Sequence, residues 1–149
     1  MKKVLIVEDE ILARLGLRQL VDWRKLELEL LPDATDGEEA LEMIRNSCPD
    51  IILLDLKIPK VSGLEILEFL KKEEMPTKVI VVSCQEEFDV VKKAMKLGAY
   101  DYLRKLNLSS DELENILEKC LVETEERITV HMQEIREIRY EEIVRDSRD

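Results

Sequence analysis

The stretch IILLDLKIP, residues 51–59, places four consecutive apolar residues directly before a carboxylate, Asp55. An apolar run without polar alternation is typical of a strand that is buried on both faces of a parallel sheet. The run therefore predicts a central strand over 51–54 whose carboxyl end carries an acid. Because a buried carboxylate without a partner is costly, Asp55 is expected to have a compensating group nearby.

Short apolar strands alternate with amphipathic helices on both sides of this stretch. Strands are predicted at 3–8, 28–32, 51–54, 78–82 and 100–103, and helices at 11–21, from a Thr35-x-x-Glu38 capping box onward, at 64–72, and at 88–98 with Gly98 closing the last. This alternation predicts an α/β fold, a parallel sheet with helices on both faces. In flavodoxin-like strand order, 2-1-3-4-5, the first and third strands are neighbours.

Functional groups follow the carboxyl ends of several predicted strands. Glu8 and Asp9 follow the first strand and Asp55 follows the third, so three carboxylates are expected to converge on one crevice. Three negative charges at short range repel one another, and a hard divalent cation with oxygen ligands relieves that repulsion. Mg²⁺ is the predicted metal because it suits a site with few carboxylates.

A hydroxyl and a cation follow the remaining strands, Ser83 at the end of the fourth and Lys105 after the fifth. A metal, a carboxylate, a hydroxyl and an ammonium group together supply what a transferred phosphoryl group needs, which is charge neutralisation and an oxygen nucleophile. The pattern therefore predicts Asp55 as the nucleophile. Taken alone, Ser83 with Glu86 also fits a helix capping box, and Tyr102 also fits a core aromatic residue.

Four sequence motifs in order make residues 1–120 resemble the receiver (CheY-like) domain of two-component response regulators. The motifs are the acid pair in VEDE (7–10), the acceptor loop DLKIPKVSG (55–63), the hydroxyl in VVSC (81–84), and the aromatic residue and lysine in AYDYLRK (99–105). The resemblance implies a Mg²⁺ site in which Asp9 and Asp55 are direct ligands, the backbone carbonyl of Lys57 is the third protein ligand, and Glu8 acts through water.

The resemblance also implies a function in signal transduction. Asp55 is expected to take a phosphoryl group from a sensor histidine kinase, with Ser83 hydrogen-bonding that group and Lys105 pairing with it. Tyr102 is expected to follow Ser83 as a switch. In that reading the chain is no enzyme beyond Mg²⁺-dependent self-phosphorylation and autodephosphorylation at Asp55.

Three departures from the family pattern bear on the site, and one of them is Cys84, which follows Ser83 where a smaller residue is typical. Leu106 follows Lys105 where the family usually has proline after a cis peptide bond, and Glu8 stands where aspartate is more usual. Leu106 leaves open whether that peptide is cis, and it mildly favours an alternative function, a phosphorylation-independent pseudo-receiver that acts as a docking module.

Two enzyme classes fit less well. A haloacid-dehalogenase-type phosphohydrolase needs a second acid two residues after its nucleophile, where this chain has Lys57. A nucleotide-binding domain needs a glycine-rich loop after its first strand, and the chain has only four glycines.

Composition and charge exclude further classes. The 149 residues carry a formal net charge of −11, which argues against direct nucleic-acid binding by this chain. The amino terminus, MKKVLIVEDE, is too quickly acidic for a signal peptide, and the sequence has no run of membrane-spanning length. A cytoplasmic protein is therefore expected.

The C-terminal part, 121–149, is predicted as a helical linker that extends the last helix. Apolar positions in and before it follow a heptad, with Leu121, Ile128 and Ile135 at a and Leu117, Thr124, His131 and Ile138 at d. This spacing favours a two-stranded coiled coil and a homodimer, and a solvated monomeric helix is the alternative. The chain resembles receivers of Gram-positive regulators with AraC-type DNA-binding domains, so transcription control through an output domain beyond this chain is expected.

Overall fold

The structure, a computed structural model, describes residues 1–84 and 88–123. Its strands are β1 (Lys2–Val7), β2 (Leu28–Leu30), β3 (Ile51–Leu54), β4 (Lys78–Ser83) and β5 (Asp101–Arg104). Its helices are α1 (Ile11–Leu20), α2 (Gly37–Ser47), α3 (Gly63–Lys72), α4 (Phe88–Lys96) and α5, which is helical over 110–123. The predicted order of elements is confirmed, and the described boundaries differ from the predicted ones by no more than two residues.

The five strands form one parallel sheet in the order β2-β1-β3-β4-β5, which confirms the predicted flavodoxin-like fold. Every residue of β3 and β4 is buried, as expected for central strands with both faces covered. On one face the core joins the strands to α2, α3 and α4, through residues such as Val7, Leu54 and Ile66. This packing fixes the positions of the strand ends on which the candidate site is built.

The predicted capping box at the start of α2 is wrong. The N-cap is Asp36, whose Oδ1 accepts the backbone N–H of Glu39 at 2.8 Å, and Thr35 instead donates its hydroxyl to the Glu39 side chain at 3.1 Å. The helix begins at Gly37 because a tertiary contact fixes that residue: its N–H donates to the carbonyl of Pro59 at 3.0 Å. The local sequence offers two adjacent capping residues and does not choose between them.

The chain divides into two compact units, Met1–Ile116 and Leu117–Asp149. The first unit contains the whole sheet and the candidate site. Of the second unit the structure describes 117–123, which are helical. Across the described residues, no helix combines the length and the apolar character needed to cross a bilayer.

Two glycines provide a matched test of the helix packing. A Cβ at Gly16, within α1, meets nothing within 4 Å, whereas a Cβ at Gly37 would lie 1.9 Å from the carbonyl oxygen of Val61. We expect Gly16→Ala to raise the free energy of unfolding by about 0.5–1 kcal/mol through helix propensity. Gly37→Ala should lower it by about 1–3 kcal/mol through overpacking. Urea unfolding of both variants measures the difference, and equal effects would contradict the placement of α2 against the 55–61 loop.

Candidate functional site

Strand register brings the predicted acids together. β1 and β3 pair with Val7 opposite Leu54, and the ladder continues one step further because the Asp55 N–H donates to the Val7 carbonyl at 3.0 Å. Glu8 and Asp55 therefore leave the sheet side by side, as the first residues after neighbouring strands. The sheet itself places the carboxylates, and no flexible loop separates either one from its strand.

Glu8, Asp9 and Asp55 form one cluster, in which one carboxylate oxygen from each residue lies within 4.8 Å of the others. Glu8 and Asp55 are buried, with 2% and 7% of their surface exposed, whereas Asp9 is exposed. The helix that follows begins after Glu10 without a side-chain cap, so the cluster does not compete with α1 for the Asp9 carboxylate. The arrangement is a crevice with two inner acids and one acid at its mouth.

Lys105 follows the edge strand β5 and reaches the cluster across the end of β4. Its backbone N–H donates to the Ser83 carbonyl at 2.8 Å, which extends the β4–β5 ladder by one residue. Its Nζ lies 2.5 Å from Glu8 Oε1 and donates to Asp55 Oδ2 at 3.2 Å. No cis peptide bond occurs in the described residues, so the Lys105–Leu106 bond is trans, and the lysine reaches the acids without the proline that is usual after it.

Electrostatics leave this cluster short of positive charge. Burial raises the pKa of Glu8 to about 8, and the neighbouring Asp55 adds to that rise while Lys105 opposes it. Burial works against the charge on Lys105, but the two acids outweigh it and raise its pKa above the usual value. One ammonium group therefore serves two buried carboxylates.

Both Glu8 oxygens are buried and meet no hydrogen-bond partner in good geometry, although Lys105 Nζ forms a close ion pair with Oε1. Buried polar atoms rarely lack a hydrogen-bond partner. The Glu8 oxygens therefore need a partner, and the described side chains do not supply one. Clustered carboxylate oxygens are the ligands that hard divalent cations prefer, and the set Glu8, Asp9 and Asp55 fits Mg²⁺.

The loop after β3 fixes the orientation of the Asp55 carboxylate. The N–H of Lys57 donates to Asp55 Oδ1 at 3.1 Å, so the two carboxylate oxygens face different partners. The loop is in turn fastened to the start of α2, where Lys60 Nζ lies 3.3 Å from Asp36 Oδ2. At its far end the N–H of Gly63 donates to the Leu56 carbonyl at 3.1 Å. Asp55 is thus held at its backbone by the Val7 carbonyl and at its carboxylate by the Lys57 N–H.

Ser83 and Tyr102 lie on one groove between α4 and β5. Ser83 is buried at its inner end, and Tyr102, 44% exposed, lies toward the surface. Lys92 and Arg104 also line this groove, which has a volume of about 500 Å³. The groove connects the end of β4, next to the acid crevice, with an aromatic residue on the outer surface.

A second cavity, of about 190 Å³, lies behind the acids. Its walls are mostly aliphatic and come from α1 and the strand ends, including Leu17, Leu53 and Val82, while Glu8, Asp55 and Lys105 form its polar side. Apolar surroundings of this kind lower the local dielectric constant, which is the physical cause of the raised pKa of Glu8.

Two charged residues at the site were not singled out from the sequence. Glu10 places a carboxylate oxygen 3.6 Å from Lys105 Nζ. Arg14, one turn into α1, donates from Nη1 to the carbonyl oxygens of Glu8 and Asp9 at 3.2 and 3.0 Å. The sequence signal that could have identified Arg14 is its basic side chain on the helix that directly follows the acid pair.

The predicted dimer seam falls largely outside the described residues. Thr124, Ile128, His131, Ile135 and Ile138 all lie there, and so does Glu86 of the alternative capping box with Ser83. Of the two described members, Leu117 is fully buried within the single chain and Leu121 is half-buried.

Comparison with known proteins identifies the family. Residues 4–118 match the family described as "Response regulator receiver domain". A response regulatory protein of Staphylococcus epidermidis is 33% identical over 118 residues, which are 79% of this chain and 46% of that protein. The transcriptional regulatory protein YesN of Bacillus subtilis is 30% identical over 141 residues, 95% of this chain and 38% of that protein. The chain thus spans about half or less of the length of these relatives.

Solved structures agree in fold. The REC domain of AraT, a response regulator from Geobacillus stearothermophilus, superimposes with a TM-score of 0.77 at 31% identity, over 85% of this chain and 97% of that one. A response regulator receiver domain protein from Clostridium thermocellum gives a TM-score of 0.74 at 27% identity, over 84% and 98% of the two chains.

Lys105 should matter for stability in the absence of metal. In Lys105→Met, two buried acids lose their shared cation. Breaking a fully buried pair costs about 3–5 kcal/mol. Because Lys105 is 18% exposed, we expect a smaller fall in the free energy of unfolding, about 1–2 kcal/mol. The matched control is Lys60→Met, which removes a more exposed pair with Asp36 and should therefore cost less stability.

Urea unfolding in a chelating buffer and again in excess Mg²⁺ measures both Lys→Met variants. The loss in Lys105→Met should shrink when a divalent cation replaces the missing ammonium group. A loss no larger than that of Lys60→Met would contradict the role of Lys105 as counter-ion.

Proposed function

Because this chain belongs to the response regulator receiver domain family, we propose that it is a phospho-accepting receiver whose acceptor is Asp55. The observation that carries the proposal is the environment of that residue. Asp55 is 7% exposed, ends a central strand, and lies beside two acids, with the Lys57 N–H on one oxygen and the Lys105 ammonium on the other. A carboxylate held this way is oriented for reaction and is not a surface charge.

The phosphoryl donor in this proposal is a phosphohistidine of a sensor histidine kinase. A carboxylate oxygen of Asp55 attacks phosphorus, a P–O bond forms as the P–N bond to the imidazole breaks, and the imidazole nitrogen takes a proton from water. Lys105 then pairs with the new phosphoryl oxygens and Ser83 donates a hydrogen bond to them. Hydrolysis then releases inorganic phosphate and restores the Asp55 carboxylate, so the chain modifies only itself and is a switch, not an enzyme.

Mg²⁺ completes the proposed site. Asp9, Asp55 and the backbone carbonyl of Lys57 would be the protein ligands, with Glu8 acting through water. When bound, the metal neutralises charge on the transferring phosphoryl group. The orphaned Glu8 oxygens and the short spacing of the three acids support this assignment.

The groove between α4 and β5 supports a switching role for Tyr102. A phosphoryl group that draws the Ser83 hydroxyl toward Asp55 changes the inner end of the groove, and Tyr102 lines the same groove toward the surface. Phosphorylation therefore changes the surface next to α4 and β5, and a partner that binds this surface can distinguish the two states.

Partners follow from the exposed surface and from the relatives. The start of α1 exposes Ile11 and Leu12, by 63% and 83%, and we assign kinase docking to this apolar patch. YesN is named a transcriptional regulatory protein, and this chain matches only 38% of it. We therefore infer that the switch controls transcription through a DNA-binding part outside this chain, and that the protein acts in the cytoplasm, as is typical of response regulators.

A phosphorylation-independent docking module is the second candidate. Leu106 stands in place of the usual proline and is 74% exposed, and Phe88 is 72% exposed, so this side of the molecule offers apolar surface to a partner whether or not Asp55 reacts.

Acetyl phosphate provides the direct test. Incubation with Mg²⁺ should add one phosphoryl group, seen by intact mass, whereas Asp55→Asn or removal of Mg²⁺ should abolish the adduct. Asp50→Asn, which alters an acid at the opposite end of β3, is the matched control and should leave the adduct unchanged. An unmodified wild-type chain that also fails to bind Mg²⁺ would favour the docking module.

We also propose that the C-terminal helix forms a homodimer. Since Leu117 is already buried within one chain, the proposed seam starts at Leu121 and continues through Ile128 and Ile135. Sedimentation equilibrium should give a dimer for the full chain and a monomer for Ile128→Lys, since a charge at an a position disrupts the seam. Val130→Lys, at a c position, should remain dimeric. A monomeric wild-type chain, phosphorylated or not, would contradict the seam.

A further inference from the structure

Arg14 lies beneath the two acids at the end of β1 and touches their backbone instead of their carboxylates. Its Nη1 donates to the carbonyl oxygens of both Glu8 and Asp9, at 3.2 and 3.0 Å. The side chain is only 18% exposed; its contact with the Glu8 carbonyl is partly buried, and its contact with the Asp9 carbonyl lies at the surface. One guanidinium group thus bridges two successive peptide units in the segment that carries the acid pair.

The guanidinium is itself oriented by an acid from the next loop. Arg14 Nε lies 4.0 Å from Asp33 Oδ2, and the other oxygen of Asp33 accepts a hydrogen bond from Arg18 at 2.6 Å. Arg18 also donates to the Leu31 carbonyl at 3.3 Å. Both arginines therefore share Asp33, but in the described contacts only Arg14 continues to the acid pair.

This placement matters because the acids repel one another. Glu8 follows β1 directly and has its N–H bonded to the Ala34 carbonyl at 3.0 Å, but Asp9 lies one residue further out and is exposed. Repulsion from Glu8 and Asp55 favours movement of Asp9 away from the crevice. A hydrogen bond to the Asp9 carbonyl opposes that movement without using the carboxylate, which stays available as a ligand.

We propose that Arg14 is a positioning residue that holds the backbone of Glu8 and Asp9 in the metal-binding arrangement and so sets the Mg²⁺ affinity of the site. This inference rests on the proposed function. Arginine suits the task because its planar guanidinium presents several N–H groups at fixed angles, so that it reaches two carbonyls and Asp33 together. A lysine ammonium carries the same charge but lacks that fork.

The test compares Arg14→Gln with Arg18→Gln in the full chain. Both variants remove one positive charge and one contact to Asp33, but only Arg14→Gln releases the Glu8 and Asp9 carbonyls. Titration with MgCl2, followed by amide chemical shifts of Asp55 and Lys57, gives the Kd. We expect Arg14→Gln to raise it about tenfold, in the range for groups that orient metal ligands, and Arg18→Gln to leave it within twofold of wild type.

Phosphorylation by acetyl phosphate adds a second readout. At saturating Mg²⁺ the rate in Arg14→Gln should return to near the wild-type value, because Arg14 does not touch the reacting atoms. Arg14→Lys should bind Mg²⁺ more weakly than wild type, and full wild-type affinity in that variant would show that charge alone suffices and overturn the positioning role.

Other outcomes separate this inference from the proposed function. Equal Mg²⁺ affinity in wild type and Arg14→Gln, or equal losses in Arg14→Gln and Arg18→Gln, would overturn the inference alone, the second by pointing to general destabilisation through Asp33. Absence of Mg²⁺ binding in the wild-type chain would overturn the proposed function and the inference with it.

Discussion

The register between β1 and β3 is the constraint on which the site depends. All four residues of Val4–Val7 and of Ile51–Leu54 are buried, and burial of each such side chain is worth about 1.5–3 kcal/mol. Repulsion between two carboxylates 4 Å apart is about 4 kcal/mol at the effective dielectric constant typical of protein surfaces. The burial energy of the two strands therefore exceeds the repulsion between the carboxylates, and Glu8 and Asp55 remain side by side. Since the backbone cannot move the two groups apart, their repulsion is relieved either by a cation or by a proton on Glu8, whose pKa burial and Asp55 raise to about 8.

Lys105 is the cation that the fold supplies, and the same logic of register explains how it arrives. The hydrogen bond from its N–H to the Ser83 carbonyl continues the β4–β5 ladder past Arg104, which aims the side chain across β4 toward the acids. This positioning precedes Leu106 in the chain. The lysine therefore does not need the proline in order to reach the acids: its ammonium group lies 3.2 Å from Asp55, and the Lys105–Leu106 peptide bond is trans.

The fold and the convergence of groups at the strand ends could be predicted because both depend on side-chain patterns. An unbroken apolar run such as 51–54 marks a buried strand, and the residue after it marks the functional edge of the sheet. The N-cap of α2 could not be predicted, since Gly37 is fixed by the distant Pro59 carbonyl. Arg14 was missed for a related reason: its partners at the acid pair are backbone carbonyls, which every residue has and no sequence pattern distinguishes.

Phosphorylation, in the proposed function, changes the balance of charge around Lys105. Phosphorylation converts the singly charged Asp55 carboxylate into a group with a charge of about −1.5 to −2, while the ammonium group is already shared between Glu8 at 2.5 Å and Asp55 at 3.2 Å. A stronger anion on Asp55 draws Lys105 away from Glu8, whose buried oxygens have no aligned hydrogen bond to replace it. In the proposed site, a bound metal ion would supply the positive charge that Glu8 then lacks. The pairing of Lys105 with both acids thus couples metal binding to phosphorylation in the proposed function, because a bound cation offsets the negative charge that phosphorylation adds.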